Sequence, residues 1–151
     1  MSVWCRFDGH GFPCLLTTNV EGRRPAFRDA SAAHRLVGII RAVAAEERFQ
    51  LIAYVVMPDH LHIVARTPPG LTTGRIMKVV KGGFAREYQA SRGEKGSFWQ
   101  SRYHEKALRS EEALWAAVEY VHYNPVAAGL VRVPAEYPWS SAGLPVPAPS
   151  G

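Results

Sequence analysis

The spacing of hydrophobic residues along the first half of the chain predicts a strand, a long helix and a hairpin. Residues 12–18 are largely apolar and favour a first strand. Residues 29–49 carry apolar side chains at helical spacing, which predicts one long amphipathic helix. Residues 51–57 form an apolar run typical of a buried strand, and the Pro-Asp pair that follows favours a tight turn. His60–Arg66 is then expected to be the return strand of the hairpin.

The second half of the chain continues the alternation of helices and strands. Residues 71–90 have the pattern of a second helix, and residues 98–109 favour another strand or hairpin arm. Ser110 is a good N-cap for a third helix, which is expected to run to about Asn124, where Pro125 and then Gly129 close it. The predicted order, β-α-β-β-α-β-α, implies an α+β sandwich with helices packed on an antiparallel sheet.

Length and composition fit one globular domain with its own core. The chain has 151 residues, of which 47% are hydrophobic. We expect residues 1–143 to form a single domain and residues 144–151 to be a short flexible tail. No apolar run is long enough to span a membrane, the N-terminus lacks a signal pattern, and Cys5 and Cys14 provide no disulfide framework. These features predict a cytoplasmic protein without a membrane partner.

The net charge of +5 is concentrated in the middle of the chain, where residues 66–109 hold ten Lys and Arg against three Asp and Glu. Such a region suits nucleic acid, because each neutralised phosphate releases a counterion. A GC-rich genome that favours arginine codons is the alternative explanation. Aromatic residues among the cations can stack bases, although core packing explains them equally well. The candidate nucleic-acid contacts are Arg75, Lys78, Lys81, Arg86, Trp99, Arg102 and Tyr103.

The first candidate for chemistry is the pair His60 and His62 on the predicted return strand. Residues two apart on a strand project from the same face, so the two imidazoles lie side by side while Leu61 and Ile63 point to the core. Two neutral imidazoles at this spacing can hold one divalent metal ion. A His-x-His pair also occurs often by chance, so by itself it does not establish a metal site.

The second candidate is Tyr120 with Asn124, four residues apart and therefore one turn apart on one helix face. Taken alone, a helix tyrosine is usually a packing residue and an asparagine before proline is usually a C-cap. Beside a metal site, however, a phenol can attack a phosphodiester and form a covalent phosphotyrosine. The phenolate is also a workable leaving group, so the strand can be rejoined. The two pairs together make a strand-transfer site if the third helix lies against the hairpin strand.

At this point the sequence resembles a known family. Residues 54–65, YVVMPDHLHIVA, resemble the His-hydrophobic-His signature of the single-tyrosine transposases. Residues 98–131 contain FWQSRYHEKALRS and YVHYNPVAAGLV, and PAEYPWSSA follows at residues 134–142. These segments are similar to the branch of that family associated with repetitive extragenic palindromes (REP), the REP-associated tyrosine transposases. The resemblance extends over about residues 12–143, whereas residues 1–11 match nothing in it.

The resemblance implies a ferredoxin-like (RRM-like) sandwich and a metal-dependent DNA strand transferase. By resemblance, His60, His62 and Asn124 would bind Mg²⁺ or Mn²⁺, and Tyr120 would be the nucleophile. The implied substrate is single-stranded, hairpin-forming DNA, cleaved to a 5′-phosphotyrosine and a free 3′-OH. Two alternatives remain on the same scaffold: an inactive single-stranded nucleic-acid-binding module, and a metal phosphoesterase that has no covalent step. The sequence leaves open whether the protein is a monomer or a homodimer.

Overall fold

The computed structural model describes residues 11–144, which form an antiparallel four-stranded sheet with helices on both faces. The α+β, ferredoxin-like fold predicted from the sequence is confirmed, with the strand order β2-β3-β1-β4. The strands are β1 (Cys14–Asn19), β2 (Gln50–Met57), β3 (His60–Arg66) and β4 (His104–Ala107), and the α-helices are α1 (Ala30–Glu47), α2 (Thr73–Arg92) and α3 (Glu111–Ala127). Single 3₁₀ turns lie at Glu21–Arg23, Ala26–Arg28 and Pro134–Glu136.

Strand β3 lies in the middle of the sheet, between its hairpin partner β2 and the first strand β1. The hairpin places Met57 opposite His60, so the turn between β2 and β3 is as tight as the sequence predicts. On the other side, Thr17 of β1 lies directly opposite His62 of β3. Because directly paired residues of antiparallel strands project from the same face, Thr17 and His62 are side-chain neighbours.

The two faces of the sheet contact different helices. Leu61 and Ile63 of β3 are fully buried in a core formed with α1 and α2, as predicted. The alternate residues, including Val55 of β2 and Val64 of β3, pack against Val121 and other apolar residues of α3. The two histidines therefore lie on the face that α3 covers, because their positions on β3 alternate with those of Leu61 and Ile63.

Helix α3 continues beyond its predicted end. Ser110 caps its first turn by accepting a hydrogen bond from the Ala113 N–H, as expected, but the helix runs through Asn124 and Pro125 to Ala127. Pro125 is buried inside the last turn, where its missing N–H breaks only one helical hydrogen bond. The next turn is closed because the Ala128 N–H still donates to the Asn124 carbonyl. The helix therefore ends at Ala127 rather than near Asn124, and Gly129, with a φ of 76°, follows its end as predicted.

The strand predicted over residues 98–109 is also shorter than expected, since β4 covers only His104–Ala107. Phe98 and Trp99 are buried in the first core rather than alternating along a strand. Trp99 makes a single bridge with Val20, and the chain turns before it joins β1. Phe98 and Trp99 are apolar because they fill the core, and in the sequence such apolar residues look like part of a strand.

The segment after α3 closes the edge of β2. Val56 donates its N–H to the Trp139 carbonyl, and Ser141 donates its N–H to the Tyr54 carbonyl. The buried Tyr137 hydroxyl donates a hydrogen bond to the Val56 carbonyl at 2.7 Å. The segment around residues 137–141 is therefore part of the folded domain.

The boundaries predicted for the domain and its tail remain predictions. Residues 1–10 and 145–151 lie outside the described part of the chain, and with them lie Cys5 and nearly all of the predicted tail. Within residues 11–144, none of the helices has the length and apolar character needed to cross a bilayer.

The Tyr137 hydrogen bond gives a stability prediction. We expect Tyr137→Phe to lower the free energy of unfolding by about 0.5–1.5 kcal/mol, because it removes a buried hydrogen bond and leaves the ring in place. Chemical denaturation followed by circular dichroism measures this loss. Tyr123→Phe is the control, since Tyr123 is 53% exposed and its change should be close to zero. Equal values for the two variants would contradict the prediction.

Candidate active site

Strand β3 places the two predicted metal ligands side by side. The ring centroids of His60 and His62 are 4.7 Å apart, with the rings nearly perpendicular. His62 is only 4% exposed, whereas His60, at the beginning of the strand, is partly buried. This arrangement follows from the two-residue period of a strand, which projects both imidazoles from the same face.

Each imidazole has a hydrogen-bond partner at its Nδ1 atom. The Nδ1 of His60 lies 2.7 Å from Oδ1 of the neighbouring Asp59. The Nδ1 of His62 lies 2.7 Å from the hydroxyl oxygen of Thr17, on the adjacent strand β1. The Nε2 of His62 is buried and has no hydrogen-bond partner among the described residues. A buried polar atom without a partner costs stability, so this Nε2 is poised for a ligand.

Burial and neighbouring groups shift the pKa values of His62 and Asp59. Burial, together with the charge of the nearby His60, lowers the pKa of His62 to about 3. His62 is therefore a neutral imidazole at physiological pH, which is the form that binds metal. For Asp59, burial acts to raise the pKa, but hydrogen bonds from His60 and Arg23 outweigh it and the pKa lies below its usual value. Asp59 is thus a carboxylate that only accepts hydrogen bonds.

Helix α3 brings Tyr120 to the histidines. The helix packs on β2 and β3, and the Tyr120 ring lies 5.4 Å from the His62 ring, centroid to centroid. Tyr120 is nevertheless 52% exposed, so its hydroxyl is accessible from solvent. Asn124 lies one turn further along α3 and is half-buried. A groove of about 380 Å³ along this helix is lined by Ala116, Glu119, Tyr120, Tyr123, Asn124 and Ala127.

The residues at the site fit the divalent metal that the sequence implies. The unpartnered Nε2 of His62 is buried beside His60 and Tyr120. Within residues 11–144, no cluster of three or more His, Cys, Asp or Glu side chains is placed to hold a metal ion. Two imidazoles therefore need a further donor, and the Asn124 amide oxygen on the helix that carries Tyr120 is the candidate. Such a set leaves positions open for water and phosphate oxygens.

The basic residues predicted to bind nucleic acid fall into two groups. Lys78, Arg86 and Arg102 are exposed. Arg75 pairs with Glu47 at 2.8 Å, and the Lys81 ammonium donates to the Gln100 carbonyl at 2.9 Å. Burial also lowers the pKa of Lys81. Lys78 and Arg102 have no ion pair or carbonyl partner among the contacts of residues 11–144, whereas the charge of Arg86, after the stronger effect of Arg35, helps to lower the pKa of Glu87.

The two aromatic candidates also differ. Trp99 is 5% exposed, packs against Phe27 and Phe98, and donates its indole N–H to the Lys81 carbonyl. This burial favours the core-packing explanation of Trp99, and a nucleic-acid contact at this residue stays a prediction. Tyr103 is half-buried, and a groove of about 280 Å³ is lined by Gly74, Met77, Lys78, Lys81, Ser101 and Tyr103.

The structure adds residues that the sequence pattern does not reveal. Thr17 and Arg23 approach the histidines only because β1 pairs with β3 and the following loop reaches the hairpin turn. His104 lies on the same face as His62, since both are opposite Thr17 in the register of the sheet. His122, by contrast, forms a 2.8 Å contact with the Ser141 hydroxyl. It is two residues from Tyr120 and so points in a different direction from α3, about 200° around the helix.

Comparison with known proteins identifies relatives over most of the chain. The family model described as "Transposase IS200 like" matches residues 15–124. The chain is 27% identical over 143 residues to a REP-associated tyrosine transposase of Escherichia coli K12, covering 93% of this chain and 82% of that protein.

Two solved structures are also similar. One is a REP-associated tyrosine transposase bound to a REP hairpin, with a TM-score of 0.73 and 26% identity over 87% of this chain and 77% of that one. The other, a protein of Deinococcus radiodurans R1 assigned as a transposase, has a TM-score of 0.57 and 23% identity over 74% and 88% of the two chains. This second likeness concerns the fold alone.

The depressed pKa of His62 predicts how stability changes with pH. The unfolded chain takes up a proton at His62 near the ordinary histidine pKa of 6.5, whereas the folded protein does so only near about 3. Between these values the unfolded state binds more protons, so stability should fall as the pH decreases from 6.5 to 3. Urea unfolding of the metal-free protein at a series of pH values measures this slope.

The matched variant is His62→Gln, which keeps a polar side chain and removes the titrating group. We expect a shallower slope in this variant than in the wild-type protein over the same pH range. The slope should not vanish, because burial also lowers the pKa of His122. Identical slopes for the two proteins would mean that His62 is not held neutral by the fold.

Proposed function

Because this chain belongs to the IS200-like transposase family, we propose that it cleaves and rejoins single-stranded DNA with Tyr120 as the nucleophile. The observation that carries the proposal is the 5.4 Å approach of the Tyr120 ring to the His62 ring. Helix α3 and strand β3 are distant in sequence, and the two rings come together only because α3 packs on the sheet. An exposed phenol beside two potential metal ligands suits nucleophilic attack on a phosphodiester.

In the proposed mechanism, His60, His62 and Asn124 hold Mg²⁺ or Mn²⁺. When bound, the metal polarises the phosphate and offsets the negative charge that develops on its non-bridging oxygens. The buried face of His62 keeps water from one side of the site, and the exposed side of Tyr120 leaves room for the DNA strand. The neutral state of His62 keeps its Nε2 available at physiological pH.

The covalent step exchanges one phosphate ester for another. The Tyr120 oxygen forms a bond to phosphorus, the bond from phosphorus to the 3′-oxygen breaks, and the phenolic proton is released to solvent. The departing 3′-oxygen takes up a proton and becomes a free 3′-OH, while the 5′-phosphate remains on Tyr120. Rejoining is the reverse reaction, in which a 3′-OH attacks the phosphotyrosine and the phenolate leaves. Because one ester bond is exchanged for another, no external energy source is needed.

Hairpin-forming DNA is the proposed substrate. A relative with 26% identity has been solved with a REP hairpin. In this chain, the exposed cations Lys78, Arg86 and Arg102 offer contacts to phosphates, and Tyr103 lines the groove beside Lys78. We propose that these residues bind the DNA outside the cleavage site, since α2 packs on the opposite face of the sheet from the histidines.

The decisive test of the proposed chemistry is Tyr120→Phe. This change keeps the ring, its packing and the helix, and removes only the hydroxyl. The variant should fold and bind labelled hairpin DNA as the wild-type protein does, but form no covalent adduct with Mn²⁺. A denaturing gel detects the adduct as a labelled protein band, and fluorescence anisotropy measures binding.

Tyr123→Phe is the matched control, because Tyr123 lines the same groove and is equally exposed. It should form the adduct at the wild-type level. If Tyr120→Phe still forms an adduct, the nucleophile is another residue. If the wild-type protein binds DNA and forms no adduct under any metal condition, the protein is an inactive nucleic-acid-binding module.

The proposed DNA contacts on α2 predict a change in salt dependence. Changing Lys78 and Arg86 together to Gln should reduce the slope of log K against log salt for hairpin DNA. A loss of about 0.7–0.9 is expected for each phosphate contact removed. The charge-matched control changes the exposed Arg28 and Arg48 to Gln, which should leave the slope unchanged. Equal slopes for both double variants would place the DNA on another surface.

A further inference from the structure

We propose that Thr17 and Asp59 are positioning residues, which hold His62 and His60 with a proton on Nδ1 and so direct both Nε2 atoms toward one metal position. The inference rests on the proposed role of the two histidines as ligands. It assigns a function to Thr17 on β1 and to Asp59 in the turn between β2 and β3, two residues outside the proposed set of ligands and nucleophile. Both assignments come from hydrogen bonds within the folded domain.

The contact between Asp59 and His60 determines which nitrogen of His60 carries the proton. A carboxylate only accepts hydrogen bonds, so the 2.7 Å contact requires a proton on Nδ1. The neutral ring then has its lone pair on Nε2, where a metal binds. Metal-ligating histidines commonly donate their other ring N–H to such a partner, which fixes the orientation of the ring.

The second oxygen of Asp59 is also used. The Arg23 Nε donates to Asp59 Oδ2 at 3.0 Å, so the carboxylate is held between the guanidinium and the imidazole. Arg23 reaches this position from the loop after β1, where its φ of 54° is uncommon for a residue with a side chain. Asp59 therefore orients the His60 ring, and Arg23 in turn fixes the position of the Asp59 carboxylate.

Thr17 plays the corresponding part for His62. The two residues are directly opposite each other on β1 and β3, so the hydrogen bonding of the sheet sets the distance between them. A threonine hydroxyl can donate or accept, and the 2.7 Å contact allows either. Only acceptance from an Nδ1 proton leaves the lone pair on Nε2. That Nε2 is buried without a partner among the described residues, which marks it as the atom available to bind a metal.

The two contacts make the site preorganised for metal. Both rings are held in orientation and tautomer before an ion arrives, so these two ligands need not reorient when it binds. Outer partners of this kind typically change metal affinity by about 10–100-fold when they are removed. We expect a loss of this size from Thr17→Val, which keeps the branched shape and removes the hydroxyl. Thr17→Ser keeps the hydroxyl and should restore most of the affinity.

The first measurement uses the metal-free protein. Nitrogen-15 NMR of the imidazoles in mildly alkaline buffer should show both histidines with the proton on Nδ1. In Thr17→Val, His62 should shift toward the form protonated on Nε2, while His60 should not change. Asp59→Ala should produce the reverse pattern, and Asp59→Asn, which keeps an acceptor oxygen, should lie between Asp59→Ala and the wild-type protein.

The second measurement is the affinity for Mn²⁺ alone, from the electron paramagnetic resonance signal of the free ion. The control is Thr18→Val, which makes the same change one residue along β1. Thr18 is fully buried, its hydroxyl has no partner within residues 11–144, and alternation places it on the opposite face of the sheet from Thr17. Thr18→Val should therefore leave both the tautomers and the Mn²⁺ affinity at wild-type values.

The outcomes separate this inference from the proposed function. Unchanged tautomers and Mn²⁺ affinity in Thr17→Val and Asp59→Ala would overturn it, as would a wild-type protein that binds no Mn²⁺. Mn²⁺ binding that depends on both residues, in a protein that forms no adduct with DNA, would support the positioning roles and remove only the transferase chemistry.

Discussion

The packing of α3 across β2 and β3 is the constraint on which the candidate site depends. Val121 of the helix is buried against the residues of β2 and β3 that share a face with the histidines. This contact fixes the rotation of the helix, and Tyr120, the residue before Val121, is thereby placed beside His62. A change of one residue in helix register would turn the tyrosine by about 100° and separate the two rings.

The features that the sequence predicts well depend on local periodicity. His60 and His62 share a face because a strand repeats every two residues, and the tight turn before them follows from a Pro-Asp pair. Tyr120 and Asn124 share a side of α3 because a helix repeats every 3.6 residues. The approach of Tyr120 to His62 is not local, and the sequence indicated it only through resemblance to a family. In the structure, helix packing places Tyr120 at the histidines.

The residues that the sequence misplaced or missed depend on contacts between distant segments. Thr17 is an ordinary strand residue until β1 pairs with β3, and Arg23 is an ordinary loop cation until it meets Asp59. Trp99 resembled a base-stacking residue because it lies among cations in the sequence, yet it fills the core next to Phe27. Pro125 continues α3 because the last turn tolerates one lost hydrogen bond, a balance that local propensity does not express.

The sheet also limits the paths by which DNA would contact both the exposed basic residues and Tyr120, the proposed nucleophile. Lys78 lies in the helical layer on one face of the sheet, whereas Tyr120 lies on the other face. A DNA strand that touches both residues must therefore pass an edge of the sheet. The β2 edge is occupied, because residues 139–141 bond to β2. Within residues 11–144, β4 forms the other edge and its side chains are largely exposed. A DNA strand that crosses the β4 edge would pass His104, which shares a face of the sheet with His62. The shape of the sheet therefore favours this path to the candidate site.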